Sequence, residues 1–258
     1  MLEWEIKDLA RRMGASLVGI GSVDRFQDAP EMNHPAYLLE GAQSVVSFAV
    51  ARTYGEALCV RGRRTKFPYQ YGRHLTNRQL SIISHRIANV LERVGYVSMM
   101  TPTHVSGTAP ERPPFTGLFS QRHAAVAAGL GDLGWNNLFL SPQFGPRQRL
   151  GSLITTAPLR PDPLIEERLC DECMVCVRRC PPGALKEETG PTIMIGHKEI
   201  TVGQYDKPRC GLAAGGRMGV WCDEEPGEQS RVPSHALISG DGVEWCAYCM
   251  LFCPVGDL

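Results

Sequence analysis

The sequence predicts an α+β fold followed by a cysteine-rich C-terminal domain. Near the N-terminus, apolar residues recur at helical spacing and a glycine follows as a stop: Leu2, Ile6, Leu9, Met13 and Gly14. The short valine-rich segments "SLVGIGS" and "SVVSFAVA" are typical of buried strands. Nine of the ten cysteines lie between Cys170 and Cys253. Helices and strands are therefore expected first, and metal or thiol chemistry after them.

Further elements are expected between these two regions. A second long helix should run from about Thr76 to Val94, end at Gly95 and precede the strand "YVSMM". Its buried stripe should comprise Leu80, Ile83, Ile87, Val90 and Val94. Proline and glycine from Thr101 to Thr116 predict a loop. The run "HAAVAAGLG" suits a helix packed closely on a flat surface, and "LGSLITTAPL" is typical of a strand.

Composition and charge limit the function classes. The chain has 258 residues, and its 27 basic residues balance 27 acidic ones, so it has no net attraction to nucleic acid or membrane. The N-terminus is acidic and no run approaches a membrane span, so we expect a cytoplasmic protein that does not enter membranes. Prolines in "RPDPL" suggest a domain boundary, with domains at 1–160 and 161–258.

Two cysteine motifs predict iron–sulfur clusters. "CDECMVCVRRCPP" has the spacing C-x2-C-x2-C-x3-C-P, and "EWCAYCMLFCPVG" supplies C-x2-C-x3-C-P. Together they match the bacterial two-cluster ferredoxin pattern, in which the fourth cysteine of a motif ligates the other cluster. Zinc sites usually separate their cysteine pairs more widely, and disulfides are unexpected in the cytoplasm. The lone Cys59 is expected to be a small buried side chain.

The interlocked pattern assigns the thiols to two [4Fe–4S] clusters. The first cluster is expected to be bound by Cys170, Cys173, Cys176 and Cys253. The second is expected to be bound by Cys180, Cys246, Cys249 and one more cysteine. The spacing leaves Cys210 and Cys222 open for that eighth place.

Three segments outside the motifs carry a resemblance to a known family. They are "IKDLARRMGASLVGIG", "YLLEGAQSVVSFAVA" and the stretch "AAVAAGLGDLGWNNLFLSPQFGPRQRLGSLITTAPL" before the first cysteine motif. They resemble the family that contains epoxyqueuosine reductase and the reductive dehalogenases. The resemblance implies a nitroreductase-like cobalamin-binding domain joined to a ferredoxin-like domain with two [4Fe–4S] clusters. Since nitroreductase-like folds elsewhere hold FMN, a flavin is the alternative cofactor.

The resemblance also implies cofactor contacts and an eighth ligand. In the family an arginine that contacts the corrinoid occupies the position of Arg122, and the backbone passes close to the corrinoid in the stretch around Leu150. Three glycines suit a backbone that approaches a flat macrocycle, although tight helix packing would explain them too: Gly129, Gly131 and Gly151. The segment "YDKPRC" resembles the family segment with the first ligand of the second cluster, which favours Cys210 over Cys222.

This chain departs from the family at two positions. Phe115 stands where epoxyqueuosine reductases carry a proton-donating aspartate, and Trp135 stands where both branches usually carry lysine or arginine. Tyr69 and Tyr71 are candidates for a catalytic phenol or for packing. A basic segment could grip a phosphate of a nucleotide tail or of RNA, or be a solvated loop: Arg61, Arg63, Arg64, Lys66, Arg73 and Arg78.

The resemblance implies a reductase in which electrons pass through the clusters to a corrinoid that reduces a small molecule. The expected electron donor is a low-potential protein such as a ferredoxin or flavodoxin, and RNA is not favoured as a partner. The missing acid and cation support a second hypothesis, a non-catalytic protein that reduces or carries a corrinoid for another protein. A third hypothesis is a ferredoxin-type electron carrier.

Overall fold

A computed structural model describes residues 1–61, 67–103, 117–214 and 246–256. The predicted strands and the first helix are present near the N-terminus, and Gly14 follows that helix at φ +92°. The elements up to the start of the cysteine-rich part are α1 Leu2–Arg12, β1 Leu17–Ser22, α2 Pro35–Leu38, β2 Ser44–Ala51, α3 Tyr54–Arg61, α4 Phe67–Arg93, β3 Ser98–Met100, α5 Gln121–Ala127, β4 Asp132–Leu133, β5 Phe139–Leu140 and β6 Gln148–Thr155.

A four-stranded antiparallel sheet organises this part of the molecule. Its strand order is β1–β2–β6–β3, and Phe48 of β2 lies opposite Gly151 of β6. Val46 and Leu153 face α1 and α4 on one side of the sheet, in a core that includes Ile6 and Leu80. The other side packs against the alanines of α5. Helices on an antiparallel sheet agree with the predicted α+β class.

Helix α4 differs from its prediction at both ends. It begins at Phe67, well before Thr76. In this earlier part of the helix Gly72 allows close packing against α3, because a Cβ at Gly72 would lie 2.1 Å from the Glu56 carboxylate. At the other end Leu91 is fully buried, whereas Val94 is 56% exposed, so placing Val94 on the buried stripe was wrong. Leu91 continues the i+4 spacing from Ile87, and this row faces the sheet.

Helix α5 packs closely on the sheet, as the small-residue run predicts. Ala124, Ala125, Val126 and Ala127 are all fully buried. A Cβ at Gly19 or Gly21 of β1 would lie 2.2 Å from Ala128 O or 2.7 Å from Ala127 O. Small residues on both surfaces therefore bring the C-terminal end of α5 against the strand.

The cysteine-rich part adds α6 Val175–Arg178, the hairpin strands β7 Leu185–Ile195 and β8 Lys198–Tyr205, α7 Lys207–Ala214 and α8 Tyr248–Leu251. Asp132, which is fully buried on β4, joins this part to the sheet domain. Its carboxylate accepts hydrogen bonds from Arg168 Nη1 (3.0 Å) and Leu169 N (3.2 Å), and Lys198 Nζ lies at 3.3 Å. No helix in the described ranges combines the length and apolar character needed to cross a bilayer.

The proline-rich segment at the expected boundary is also anchored. The Asp162 carboxylate accepts hydrogen bonds from Lys7 Nζ at 2.6 Å and Ile20 N at 2.8 Å. This segment therefore lies against α1 and β1, and the division into 1–160 and 161–258 stays a prediction.

Candidate metal centre

The cysteines predicted to bind the first cluster lie together. Burial raises the pKa of Cys176 to about 12, and the charges of Cys170, Cys253 and Cys173 add to this effect. Burial also raises the pKa of Cys253 to about 11, while Arg147 acts in the opposite direction. Such mutual influence requires that the four thiols be near one another. We call Cys170, Cys173, Cys176 and Cys253 the first thiol group.

The remaining cysteines form a second thiol group. The pKa of Cys249 is raised well above its ordinary value, mainly by burial and then by the charges of Cys246, Cys210, Cys180 and, least, Cys176 of the first thiol group. We call Cys180, Cys210, Cys246 and Cys249 the second thiol group, and the weaker influence of Cys176 shows that the two groups adjoin. Cys222 lies outside the described residues, so the choice of Cys210 as the eighth ligand stays a prediction.

The loop around the first three thiols is tightly wound. Glu172 and Met174 both have φ +55°, in the left-handed region that non-glycine residues seldom adopt. Cys173 N donates to Asp171 Oδ1 at 3.3 Å, and Arg178 Nη2 donates to Cys173 O at 3.0 Å. These turns bring Cys170 and Cys173 of the loop near Cys176, the second residue of α6.

The β7–β8 hairpin brings the distant Cys180 and Cys210 into one region. Leu185 pairs with Tyr205 at its open end, and Asp206 N donates to Ala184 O at 2.8 Å. Cys210 N then donates to Asp206 O at 3.0 Å. Cys249 comes from α8, and its carbonyl accepts a hydrogen bond from Asn136 Nδ2 at 3.1 Å.

The donor set fits two four-iron clusters. All nine cysteines in the described ranges are free of disulfide bonds, and eight of them belong to the two thiol groups. Each group also has a backbone donor to sulfur, with Trp135 N 3.3 Å from Cys170 Sγ and Ala184 N 3.2 Å from Cys180 Sγ. In the described ranges no three potential ligands surround a single metal-ion position, whereas a cubane distributes its four thiolates over four iron atoms.

Trp135 lies beside the thiols. Its side chain is buried, and its Nε1 donates to Lys186 O at 2.8 Å. Trp135, Cys176 and Leu185 form an apolar cluster against which thiols of both groups pack. The residue that replaces the usual family cation therefore occupies the region of the thiols.

Arg122 also lies near the thiols. Its Nη1 donates to Asn137 O, and its pKa is lowered by burial while the charges of Tyr205, Cys210 and Cys249 act in the opposite direction. The neighbouring His123 has its pKa lowered to about 4 by burial and by Arg122, and its Nδ1 is hydrogen-bonded to Ser120 Oγ. Arg122 is thus placed beside the second thiol group, and its contact with a corrinoid stays a prediction.

The glycines expected to approach a macrocycle face protein atoms. A Cβ at Gly129 would lie 2.1 Å from Pro163 O, and one at Gly131 would lie 1.9 Å from Leu140 O. At Gly151 a Cβ would lie 2.8 Å from the Phe48 ring. Packing accounts for all three, so they leave no open cradle for a corrinoid. Leu150 packs against the core on the α5 side of the sheet.

The candidate tyrosines have different surroundings. Tyr69 is buried, with the Arg52 guanidinium 3.8 Å from its ring centre, whereas Tyr71 is 66% exposed. Both lie on α4, but the structure does not bring them together at one site. Arg61 Nε donates to Leu251 O, Arg73 is buried and Arg78 is exposed. Phe115 and the other basic residues lie outside the described ranges: Arg63, Arg64 and Lys66.

Two residues that sequence reasoning missed hold the site in place. Arg147 is buried and donates through Nη1 to Cys253 O and through Nη2 to Val255 O, both at 2.8 Å. Tyr205 has its pKa raised by burial and by a hydrogen bond with Cys210. Spacing gives no signal for Arg147, because its partners lie more than 100 residues away in the sequence. Tyr205, in contrast, begins the segment "YDKPRC", which ends at its partner Cys210.

Comparisons with known proteins were made for sequence and for structure. No family model matches the chain. An epoxyqueuosine reductase of Bacillus anthracis is 28% identical over 191 residues, which are 71% of this chain and 43% of that protein. A tetrachloroethene reductive dehalogenase of Sulfurospirillum multivorans is 33% identical over 132 residues, which are 47% of this chain and 25% of that protein. The chain thus spans less than half of these relatives.

Solved structures of both kinds share the fold. A catabolic reductive dehalogenase superposes with a TM-score of 0.66 at 20% identity, over 98% of this chain and 31% of its own. Epoxyqueuosine reductase from Streptococcus thermophilus superposes with a TM-score of 0.57 at 20% identity, over 98% of this chain and 66% of its own. The chain is therefore homologous to the epoxyqueuosine reductases and reductive dehalogenases and has their fold.

Proposed function

We propose that the chain is an oxidoreductase in which each thiol group binds one [4Fe–4S] cluster and the clusters deliver electrons to a corrinoid that reduces a small molecule. One observation carries this proposal: eight thiols gather in two groups of four that adjoin one apolar cluster. The homologues are named reductases, which supports the reaction class.

The surroundings of the thiols suit electron transfer between neighbouring clusters. Cys176 and Cys253 are buried, and Cys170 and Cys180 accept backbone hydrogen bonds. Burial and hydrogen bonds to sulfur are two of the factors that set a cluster's reduction potential. This chain therefore supplies thiolate ligands, N–H donors and an apolar environment in which one cluster can pass an electron to the other.

The corrinoid part of the proposal is supported by the relatives. One solved reductive dehalogenase of this fold is described with a mechanism for B12-dependent dehalogenation. A corrinoid supplies a cobalt centre that can be reduced and can then transfer electrons to a substrate. Since the three glycines face protein atoms, we derive no corrinoid contact from them. FMN is the alternative cofactor.

We propose a cytoplasmic setting, because free cysteines are expected where thiols stay reduced. A small low-potential protein such as a ferredoxin or flavodoxin is the proposed electron donor. An epoxyqueuosine reductase has been solved with a tRNA stem loop, so RNA is a further partner to test. Trp135 in place of a cation favours the second candidate function, a corrinoid-reducing or corrinoid-carrying protein without a substrate reaction of its own. A ferredoxin-type electron carrier is the third candidate.

Anaerobic reconstitution with iron and sulfide tests the clusters. We expect about eight iron atoms per chain, as two [4Fe–4S] clusters require, and EPR signals from two interacting clusters after reduction. A Cys59→Ala variant is the control, because Cys59 lies on α3 and in neither thiol group. Iron content that does not exceed one cluster, or that persists when either thiol group is replaced by alanine, would contradict the proposal.

Cofactor binding is tested on the reconstituted protein with hydroxocobalamin and, separately, FMN. Retention of the corrinoid through gel filtration and its spectral reduction by the clusters are the expected results. If the corrinoid is reduced and no organohalide or epoxide turns over, the corrinoid-handling function is favoured. If neither cofactor is retained although both clusters are present, the electron-carrier function is favoured and the corrinoid is excluded.

A further inference from the structure

Trp135 lies where the two thiol groups meet. It lies two residues after the end of β4, and its side chain is only 5% exposed. It forms one apolar cluster with Cys176 of the first group and Leu185 of β7. Further residues from both sides pack against this cluster: Cys170, Met174, Val177, Cys180, Tyr205 and Cys249. Cysteines proposed as ligands of both clusters therefore border the apolar cluster that contains this indole.

The orientation of Trp135 is fixed from several directions. Its Nε1 donates to Lys186 O at 2.8 Å, and its carbonyl accepts a hydrogen bond from Gly203 N at 3.0 Å. A Cβ on Gly203 would lie 2.3 Å from the indole Nε1, so β8 leaves only the space that a glycine allows. At the same time the backbone N–H of Trp135 points to Cys170 Sγ at 3.3 Å.

We propose that Trp135 is a positioning residue for both clusters, whose indole fills the space between the two thiol groups, excludes water and holds both reduction potentials low. This role rests on the proposed function, in which the thiol groups bind clusters. Nothing in the sequence pattern of the cysteines requires a tryptophan here.

The expected direction follows from charge. Reduction adds an electron to a cluster that is already surrounded by thiolates, and water stabilises the added charge better than an apolar ring does. Solvent exposure is therefore one of the factors that sets the reduction potential of an iron–sulfur cluster. Because the apolar cluster that contains the indole borders cysteines of both groups, opening this space should make both clusters easier to reduce.

The test uses the full chain with reconstituted clusters and the variants Trp135→Phe and Trp135→Ala. Trp4→Ala is the matched control, because Trp4 is 69% exposed on α1. Iron content and circular dichroism establish that each protein is loaded and folded. Redox titration followed by EPR then gives the midpoint potential of each cluster, a readout that does not depend on substrate turnover.

We expect both potentials to become more positive, more in the alanine than in the phenylalanine variant, and to be unchanged in Trp4→Ala. A tenfold change in the ratio of reduced to oxidised cluster corresponds to about 59 mV for one electron. Trp135→Phe keeps an aromatic ring at this position. If the alanine variant does not retain iron, the cluster potentials of the phenylalanine variant alone test the inference.

Unchanged potentials in a fully loaded Trp135 variant would overturn the inference, as would a shift confined to one cluster. If the unmodified chain takes up no iron, the proposed function itself fails, and the inference fails with it. If the unmodified chain loads two clusters and only the variants behave contrary to expectation, the proposed function stands and the role of Trp135 is rejected.

Discussion

The two thiol groups have the same number of cysteines but different cationic neighbours. At the first group, Arg147 binds two backbone carbonyls and thereby holds the segment that carries Cys253. At the second group, Arg122 donates a hydrogen bond to Asn137 O. Burial lowers the pKa of Arg122, and the charges of Tyr205, Cys210 and Cys249 act in the opposite direction. Removing Arg147 should therefore mainly affect structure, whereas removing Arg122 should mainly affect electrostatics.

The largest expected effect is the loss of one cluster. Cys249→Ala removes the thiol at the centre of the second group, so iron content should fall to about half while the EPR signal of the first cluster remains. Cys210→Ala should do the same, and Cys222→Ala should not. Loss of iron in Cys222→Ala but not in Cys210→Ala would transfer the eighth ligand to Cys222.

Replacing Asp132 should destabilise the junction beside the first group. Asp132→Ala leaves Lys198 buried without its carboxylate and removes the hydrogen bonds from Arg168 Nη1 and from the backbone of Leu169, next to Cys170. Breaking a buried ion pair costs about 3–5 kcal/mol. Urea unfolding should show this loss, and Asp8→Ala on α1, whose partner Arg12 is 70% exposed, should stay within about 1 kcal/mol of the unmodified chain.

Arg147→Met should lower stability by less. Two hydrogen bonds from a guanidinium to carbonyls are lost, and a hydrogen bond to a charged group contributes about 1.5–3 kcal/mol. Because the bond to Val255 O is only partly buried, we expect less than the full sum, a loss of about 2–4 kcal/mol in urea unfolding, and weaker retention of the first cluster alone. Equal loss of both clusters would show that Arg147 supports the whole region and would remove the contrast with Arg122.

Lowering the pH should reduce the stability of the folded protein through His123, which lies next to Arg122 beside the second thiol group. Its pKa is lowered in the folded protein to about 4 by burial and by Arg122. The unfolded chain then binds more protons between about pH 4 and 6.5, so stability is fully present above pH 6.5 and is lost as the pH falls toward 4. Between about pH 7 and pH 4.5 the free energy of unfolding should fall by about 1–3 kcal/mol less in His123→Gln than in the unmodified chain. Equal pH dependence of the two proteins would contradict this prediction.

The smallest expected effect is a change in one potential. Arg122→Gln removes a positive charge beside the second group, so the second cluster should become harder to reduce by about 1 kcal/mol, or about 40 mV for one electron. Arg78→Gln on the exposed face of α4 is the control. A change in the reduction potential of the first cluster instead of the second would contradict this prediction.

Sequence reasoning succeeded where short-range spacing decides the outcome. Cys170, Cys173 and Cys176 lie near one another because only a few residues separate them, whereas the assignment of the thiols to two clusters stays a prediction. It failed at Val94, where two helical spacings fit and only the sheet selects Leu91. It could not foresee Trp135 among the thiols or Arg147 on Cys253 O, because these contacts join segments that are distant in sequence. The corrinoid site stays a prediction.

The docking of Cys253 by Arg147 also has a consequence for the order of folding. Cys170, Cys173 and Cys176 lie within one short segment, but their fourth partner comes from a segment far along the chain, and contacts of such long range form slowly. During synthesis the loop must therefore present three unsatisfied thiols until the C-terminal segment arrives. We expect iron delivery to this group to follow the closure of the tertiary fold.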